Sequence, residues 1–148
     1  MSSLTKDELA SLLPHTGAMR LLDGVESWDD STIRCRAVSH RDPANPLRRG
    51  ATLDVVAGLE YAAQAMGVHV GLLDGRPSAG GSVGYIGGLR DVTFGTGRLD
   101  DCPGELTIDA TRLFADHRSF MYRFVVSSHG HEVLARRASI FLAQAPGK

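Results

Sequence analysis

The sequence predicts an α+β domain in which an antiparallel sheet of about six strands wraps around one long central helix. Two observations carry that prediction. Residues 55–73, VVAGLEYAAQAMGVHVGLL, are of helix length and apolar almost all round, which suits an enclosed, central helix. The segments on either side carry β-branched and aromatic residues with partial alternation, two runs before the helix and four after it.

In chain order, residues 5–13, TKDELASLL, form a short N-terminal helix, with Thr5 as N-cap, Glu8 at capping-box spacing and Pro14 as its stop. Residues 19–28 and 31–39 are predicted strands, joined by a tight turn at Asp29-Asp30 into a hairpin. Residues 40–50, HRDPANPLRRG, contain two prolines and an asparagine and cannot be regular structure. The central helix is expected over 52–73, where its many Ala and Gly residues permit close approach by a sheet or by a second copy of the helix. Residues 74–82 are a loop, and strands follow at 83–94, 105–113, 118–128 and 132–143, with a hairpin turn at SHGHE. Gly87-Gly88 marks a bulge or a close helix approach. With no repeat, linker or low-complexity segment, residues 1–148 are expected to form one domain.

Composition narrows the function classes. A formal net charge of −1 gives no field that attracts nucleic acid. The opening MSSLTKDELASLLPH lacks the basic and apolar regions of a signal peptide, so a cytoplasmic location is expected. The apolar stretch is interrupted by Glu60, Gln64 and His69 and suits a buried helix better than a membrane span. Cys35 and Cys102 have no metal-ligand spacing, so no metal site and no disulfide framework are expected.

Glu60 is the residue that demands an explanation. A carboxylate out of water costs several kcal/mol unless it is paired, hydrogen-bonded or protonated. In an apolar pocket a carboxyl stays protonated and can serve as a general acid. The alternative is a buried glutamate that holds a loop or a dimer through backbone hydrogen bonds. Gln64 lies one turn on and is expected to orient that carboxyl or to bond a partner helix.

LLPHTGAMRLLDGV resembles the opening of the FabA/FabZ-like 3-hydroxyacyl-[acyl carrier protein] dehydratases. LEYAAQAMG resembles their central helix, and GGLRDVTF followed by PGELTIDA resembles their third and fourth strands. PHTGAM together with LEYAAQAM is similar, more narrowly, to the ApeP-like branch, linked to aryl-polyene and related polyketide-like pathways. The resemblance implies the hotdog fold, and a homodimer or a heterodimer with another hotdog subunit. Its helices would lie side by side, with active sites at the subunit interface. It implies a 3-hydroxyacyl substrate on the phosphopantetheine of an acyl carrier protein, a trans-2-enoyl product, and no other cofactor.

The same resemblance places Glu60 at the family's acid. The family's histidine, fourteen residues earlier, corresponds to Pro46, and its Pro-Gly at the helix start corresponds to Asp54 and Val55. The Val55 N–H remains a candidate donor to the thioester oxygen, because helix N-termini point free N–H groups outward. Candidate bases are His15 and His40. His69, nine residues beyond Glu60, falls on the opposite side of the helix, about 13 Å along it, and cannot pair with Glu60 within one chain. The substrate-facing candidates are Gln64, Val55, Pro46 and Gly88. Tyr61 belongs to the core, and His117, His129 and His131 to solvated turns. Arg48 and Arg49 flank the expected entrance, where they meet an acidic carrier protein or form a solvated loop. Three functions are open: a dehydratase with Glu60 as acid, a non-catalytic helper subunit of a heteromeric hotdog dehydratase, and a hotdog acyl thioesterase.

Overall fold

The computed structural model describes residues 3–9, 19–74, 82–95, 97–116 and 119–144. Strand β1 (Leu4–Thr5) leads into helix α1 (Lys6–Leu9). The capping box forms, with Glu8 N–H donating to Thr5 Oγ1 at 3.3 Å and Thr5 N–H donating to Glu8 Oε1 at 2.8 Å. Strands β2 (Gly24–Trp28) and β3 (Thr32–Ala37) form the expected hairpin. The Asp29 carboxylate accepts from the N–H groups of Ser31 and Thr32 and so fixes the turn. The first strand is shorter than expected: Leu21 and Leu22 are buried but lie outside β2, in a segment held by the Gln64 side chain of the helix.

A 3-10 turn (Val55–Ala57) opens the central helix α2 (Gly58–Asp74). Then come β4 (Ser82–Phe94), β5 (Leu106–Ala115), β6 (Ser119–Ser128) and β7 (His131–Gln144). The turn between β6 and β7 has positive φ at both His129 (51°) and Gly130 (78°), the geometry that suits the twist of a two-residue hairpin.

The strands form one antiparallel sheet in the order β1-β2-β3-β5-β6-β7-β4, seven strands where six were expected. The extra strand is the two-residue β1 against β2. The long connection through α2 carries the chain from β3 to the far edge, so β4 pairs only with β7 and its other edge is open among the described residues. On β6 alternate residues Phe120, Tyr122, Phe124 and Val126 are buried. They join Tyr61, Ala62, Ala65, Met66 and Val68 of α2 in a single core. This is the hotdog arrangement, a curved sheet around one helix. A register shift between Ile86 and Gly88 puts a bulge at Gly87, as the glycine pair suggested. Among the described residues no helix is long and apolar enough to cross a membrane.

Candidate active site

The helix entry is self-contained. Asp54 is the N-cap, and its carboxylate accepts from the Val56 N–H at 2.9 Å. The Ala57 N–H bonds the Asp54 carbonyl, and the Gly58 N–H bonds carbonyls within the 3-10 turn. The Val55 N–H, expected to point free toward a thioester, donates instead to the Gly97 carbonyl at 3.1 Å. The cause is an isolated bridge between Asp54 and Arg98, which lays the segment after β4 along the helix start. Asp100 reinforces that seam: its carboxylate accepts from the Leu53 N–H and pairs with Arg98. The Arg98 guanidinium and the Leu53 N–H hold the Asp100 carboxyl well below the usual carboxylate range.

Glu60 was expected to be buried, and within one chain it is exposed. The reason is geometric. Val56, Glu60, Ala63 and Gly67 recur at helical spacing on the side of α2 turned away from the sheet. Val56 is 54% exposed, and a side chain added at Gly67 would meet nothing within 4 Å. Among the described residues this stripe is the most open side of the helix, and no described side chain encloses Glu60.

Gln64 is buried, and its amide is fully engaged by backbone. Its Oε1 accepts from the Leu21 N–H at 2.9 Å and its Nε2 donates to the Met19 carbonyl at 2.7 Å. It fastens the segment before β2 to the helix, and among the described residues no hydrogen bond joins it to the Glu60 carboxyl.

Next to Glu60, on the buried side, Tyr61 anchors a network that sequence reasoning missed. Ser39 Oγ–H donates to the Leu21 carbonyl at 2.7 Å, so the Tyr61 hydroxyl donates to Ser39 Oγ, also at 2.7 Å. Asn45 Nδ2 donates both to Tyr61 Oη at 3.0 Å and to the Ser39 carbonyl at 2.9 Å. Asn45 Oδ1 accepts from the Leu47 N–H. The whole loop from Ser39 to Leu47 is thereby pinned to α2. Its signal in the sequence was Asn45 between two prolines, a residue that bonds nearby backbone in turns.

The candidate bases separate. His40 is fully buried, and its Nε2–H donates to the Cys102 carbonyl at 3.1 Å. Its Nδ1 is buried with no hydrogen-bond partner among the described residues. Burial holds the His40 imidazole below its usual range, against the opposing pull of the Cys102 carbonyl. Burial thus disfavours the charged form of His40, and solvent does not reach the ring. No hydrogen bond links it to Glu60 among the described residues. His69, on the far side of α2 as expected, is a satisfied core histidine between the Asp29 carbonyl and the Tyr122 hydroxyl. His15 lies outside the described residues.

Pro46 is exposed in a turn closed by the Arg48 N–H on the Asn45 carbonyl, where a proline at the second position suits the backbone. Arg48 is internal to this loop, its guanidinium donating to the carbonyls of Asp42 and Ala51 at 2.9 Å each, so it is not free for a partner. Gly88 sits exposed on the outer edge strand beside the bulge.

A single chain thus offers one solvent-facing carboxylate on the uncovered stripe of its central helix. The family model of the ApeP dehydratase matches residues 7–147. The chain belongs to the ApeP-like dehydratase family. No curated protein matches the chain in sequence. Among solved structures, the dehydratase heterocomplex ApeI:P from Xenorhabdus doucetiae matches with a TM-score of 0.79 at 23% identity, over 91% of this chain and 90% of that one. A mutant thioesterase from Pseudomonas aeruginosa matches with a TM-score of 0.56 at 12% identity, over 83% and 81%. A hypothetical thioesterase with coenzyme A from Streptococcus pneumoniae reaches 0.55 at 14% identity, over 82% and 85%. At these identities the likenesses establish the hotdog fold. The dehydratase role of this ApeP-like chain comes from the family match.

Proposed function

We propose that this ApeP-like chain is one subunit of a heteromeric hotdog dehydratase. The complex would remove water from a 3-hydroxyacyl thioester carried on an acyl carrier protein, in fatty-acid or aryl-polyene-type biosynthesis. The observation that supports this reading most directly is the placement of Glu60. It stands on the one stripe of α2 that the chain's own sheet leaves uncovered, with exposed Val56 and the small residues Ala63 and Gly67 beside it.

The reaction breaks the C–H bond alpha to the thioester carbonyl and the C–O bond of the 3-hydroxyl, forming a carbon–carbon double bond and water. It needs a base for the alpha proton, an acid for the departing hydroxyl and donors for charge on the thioester oxygen. In this reading Glu60 is the acid, and a second hotdog chain laid on the stripe supplies the apolar surroundings that keep a carboxyl protonated. Among the described residues neither a base nor an oxygen-binding donor is on offer, because the Val55 N–H is bonded to Gly97 and His40 is sealed in the core. In this reading the oxygen-binding donor therefore comes from that second chain, and the base from it or from His15. The open edge of β4 fits the same assembly, because an unpaired edge strand is a natural place for another chain to add.

Mass spectrometry of a 3-hydroxyacyl carrier protein tests this. The substrate is incubated with the chain alone, with a histidine-containing hotdog partner alone, and with both. Water loss only in the mixture, abolished by Glu60→Gln, is the expected result. Water loss from the chain alone would replace the heteromer with a homodimer. Free acid in place of enoyl thioester would replace the dehydratase with a thioesterase.

A further inference from the structure

On the outer, convex face of the sheet three arginines stand in direct lateral register. Arg123 on β6 pairs with Arg137 on β7, and Arg137 pairs with Arg90 on β4. Residues paired directly across strands share a face, and the neighbours of Arg123 on β6, Tyr122 and Phe124, are buried on the opposite one. The three side chains therefore leave the same surface at strand spacing, about 4.8 Å apart and roughly 10 Å in all.

Like charges placed directly opposite one another destabilise a sheet. Elsewhere on this face the arginines are compensated: Arg34 bonds Asp109 and lies near Glu26, and Arg36 lies near Glu105. In the row only Arg137 has an acidic partner, Asp91 at 3.1 Å, and that carboxylate is itself 72% exposed. Arg136, beside the row, is taken up by Glu132. Arg90 and Arg123 are exposed and have no ion pair or hydrogen bond among the described residues. The next row on the same face runs Phe114, Met121, Ser139 and Gly88, and Phe114 is 56% exposed. Arginine beside an exposed phenylalanine and a half-buried methionine is the composition of a protein interface.

We infer that the Arg90–Arg137–Arg123 row, with Phe114 and Met121 beside it, docks an acidic α-helix of the carrier protein. The inference rests on the reading that the acyl group arrives on such a carrier. Carboxylates at i, i+4 and i+7 of a helix are neighbours on one face, about 5–6 Å apart, which matches the spacing of the row. A flat row of separate guanidinium groups suits such a helix better than a single phosphate, which one fork of donors satisfies. Of the two arginines expected at the entrance, Arg48 is taken up by bonds inside its own loop, which leaves Arg49 there alone and makes no row.

The test is titration of holo carrier protein into the chain, alone and with its hotdog partner, at low and high salt. Arg123→Glu is expected to weaken binding about tenfold at low salt, and Arg90→Glu with Arg123→Glu about a hundredfold, with a flatter salt dependence. Arg36→Glu on the same face is the control, and thermal melts confirm that each variant folds. In turnover, the double variant should lose activity on the carrier-borne substrate and keep it on the same acyl group as a pantetheine thioester. If neither substrate loses water, the dehydratase reading fails while the titration still decides the docking. Unchanged carrier binding in the double variant overturns the proposal. So does competition by free phosphopantetheine, which would make the row a phosphate site.

Discussion

The Tyr122 hydroxyl donates to Nδ1 of His69 at 2.6 Å, across the interior from β6 to α2. The direction is fixed because the other ring nitrogen faces the Asp29 carbonyl at 2.8 Å and must carry the proton. The two rings meet edge to face, with centroids 5.6 Å apart. His69 therefore holds the β2–β3 turn, the helix and β6 together in its neutral form.

That arrangement predicts a pH dependence of folding. Burial, the largest influence, lowers the folded pKa of His69 and likewise of His40 below the ordinary 6.5. The unfolded chain then binds protons first as pH falls. Stability is full above about pH 6.5 and declines below it, by at most about 1.4 kcal/mol per pH unit for each group. Urea unfolding between pH 5 and 8 should show this slope, and replacing both histidines by glutamine should flatten it. An unchanged slope in that double variant would reject the assignment.

Gln64→Leu should destabilise the protein by about 1–3 kcal/mol, because the Leu21 N–H and the Met19 carbonyl each lose a partner in a buried setting. Hydrogen exchange offers a local check: the Leu21 amide should lose protection well before the amides of β5 and β6.

Tyr61→Phe keeps the ring and removes the hydroxyl that joins Ser39 to Asn45. The expected cost is about 1 kcal/mol, with faster exchange confined to the loop from Ser39 to Leu47. A uniform rise in exchange over the whole sheet would instead mean that the network supports the core and not the loop.

Glu60→Gln should leave the unfolding midpoint of the isolated chain within about 0.5 kcal/mol of the parent, because the side chain is exposed and makes no bond among the described residues. The same change should abolish water elimination in the assembled enzyme. Stability and turnover then separate, as they do for a residue whose role begins only in the complex.

Much of this was legible in the chain. The long apolar helix and the β-rich segments around it gave the sheet-and-helix architecture, and Thr5 with Glu8 gave the first cap. Glu60 marked the helix as unusual, but periodicity alone could not say which side would be uncovered. That depends on the sheet's curvature, which leaves Val56, Glu60, Ala63 and Gly67 outside. The Val55 N–H looked free because the strand end that consumes it is more than forty residues later in the chain. The arginine row was invisible for a similar reason: Arg90, Arg123 and Arg137 become neighbours only through the pairing of β4, β7 and β6.

The seam between the end of β4 and the start of α2 has a mechanical consequence. Val55 is tied to Gly97, Leu53 to Asp100 and Asp54 to Arg98, all within a few residues of the end of β4 on one side and of Glu60 on the other. These bonds fasten the loop after β4 to the entry of the helix that carries Glu60. A displacement of that loop would therefore strain the first turn of α2 before it reached any other part of the core.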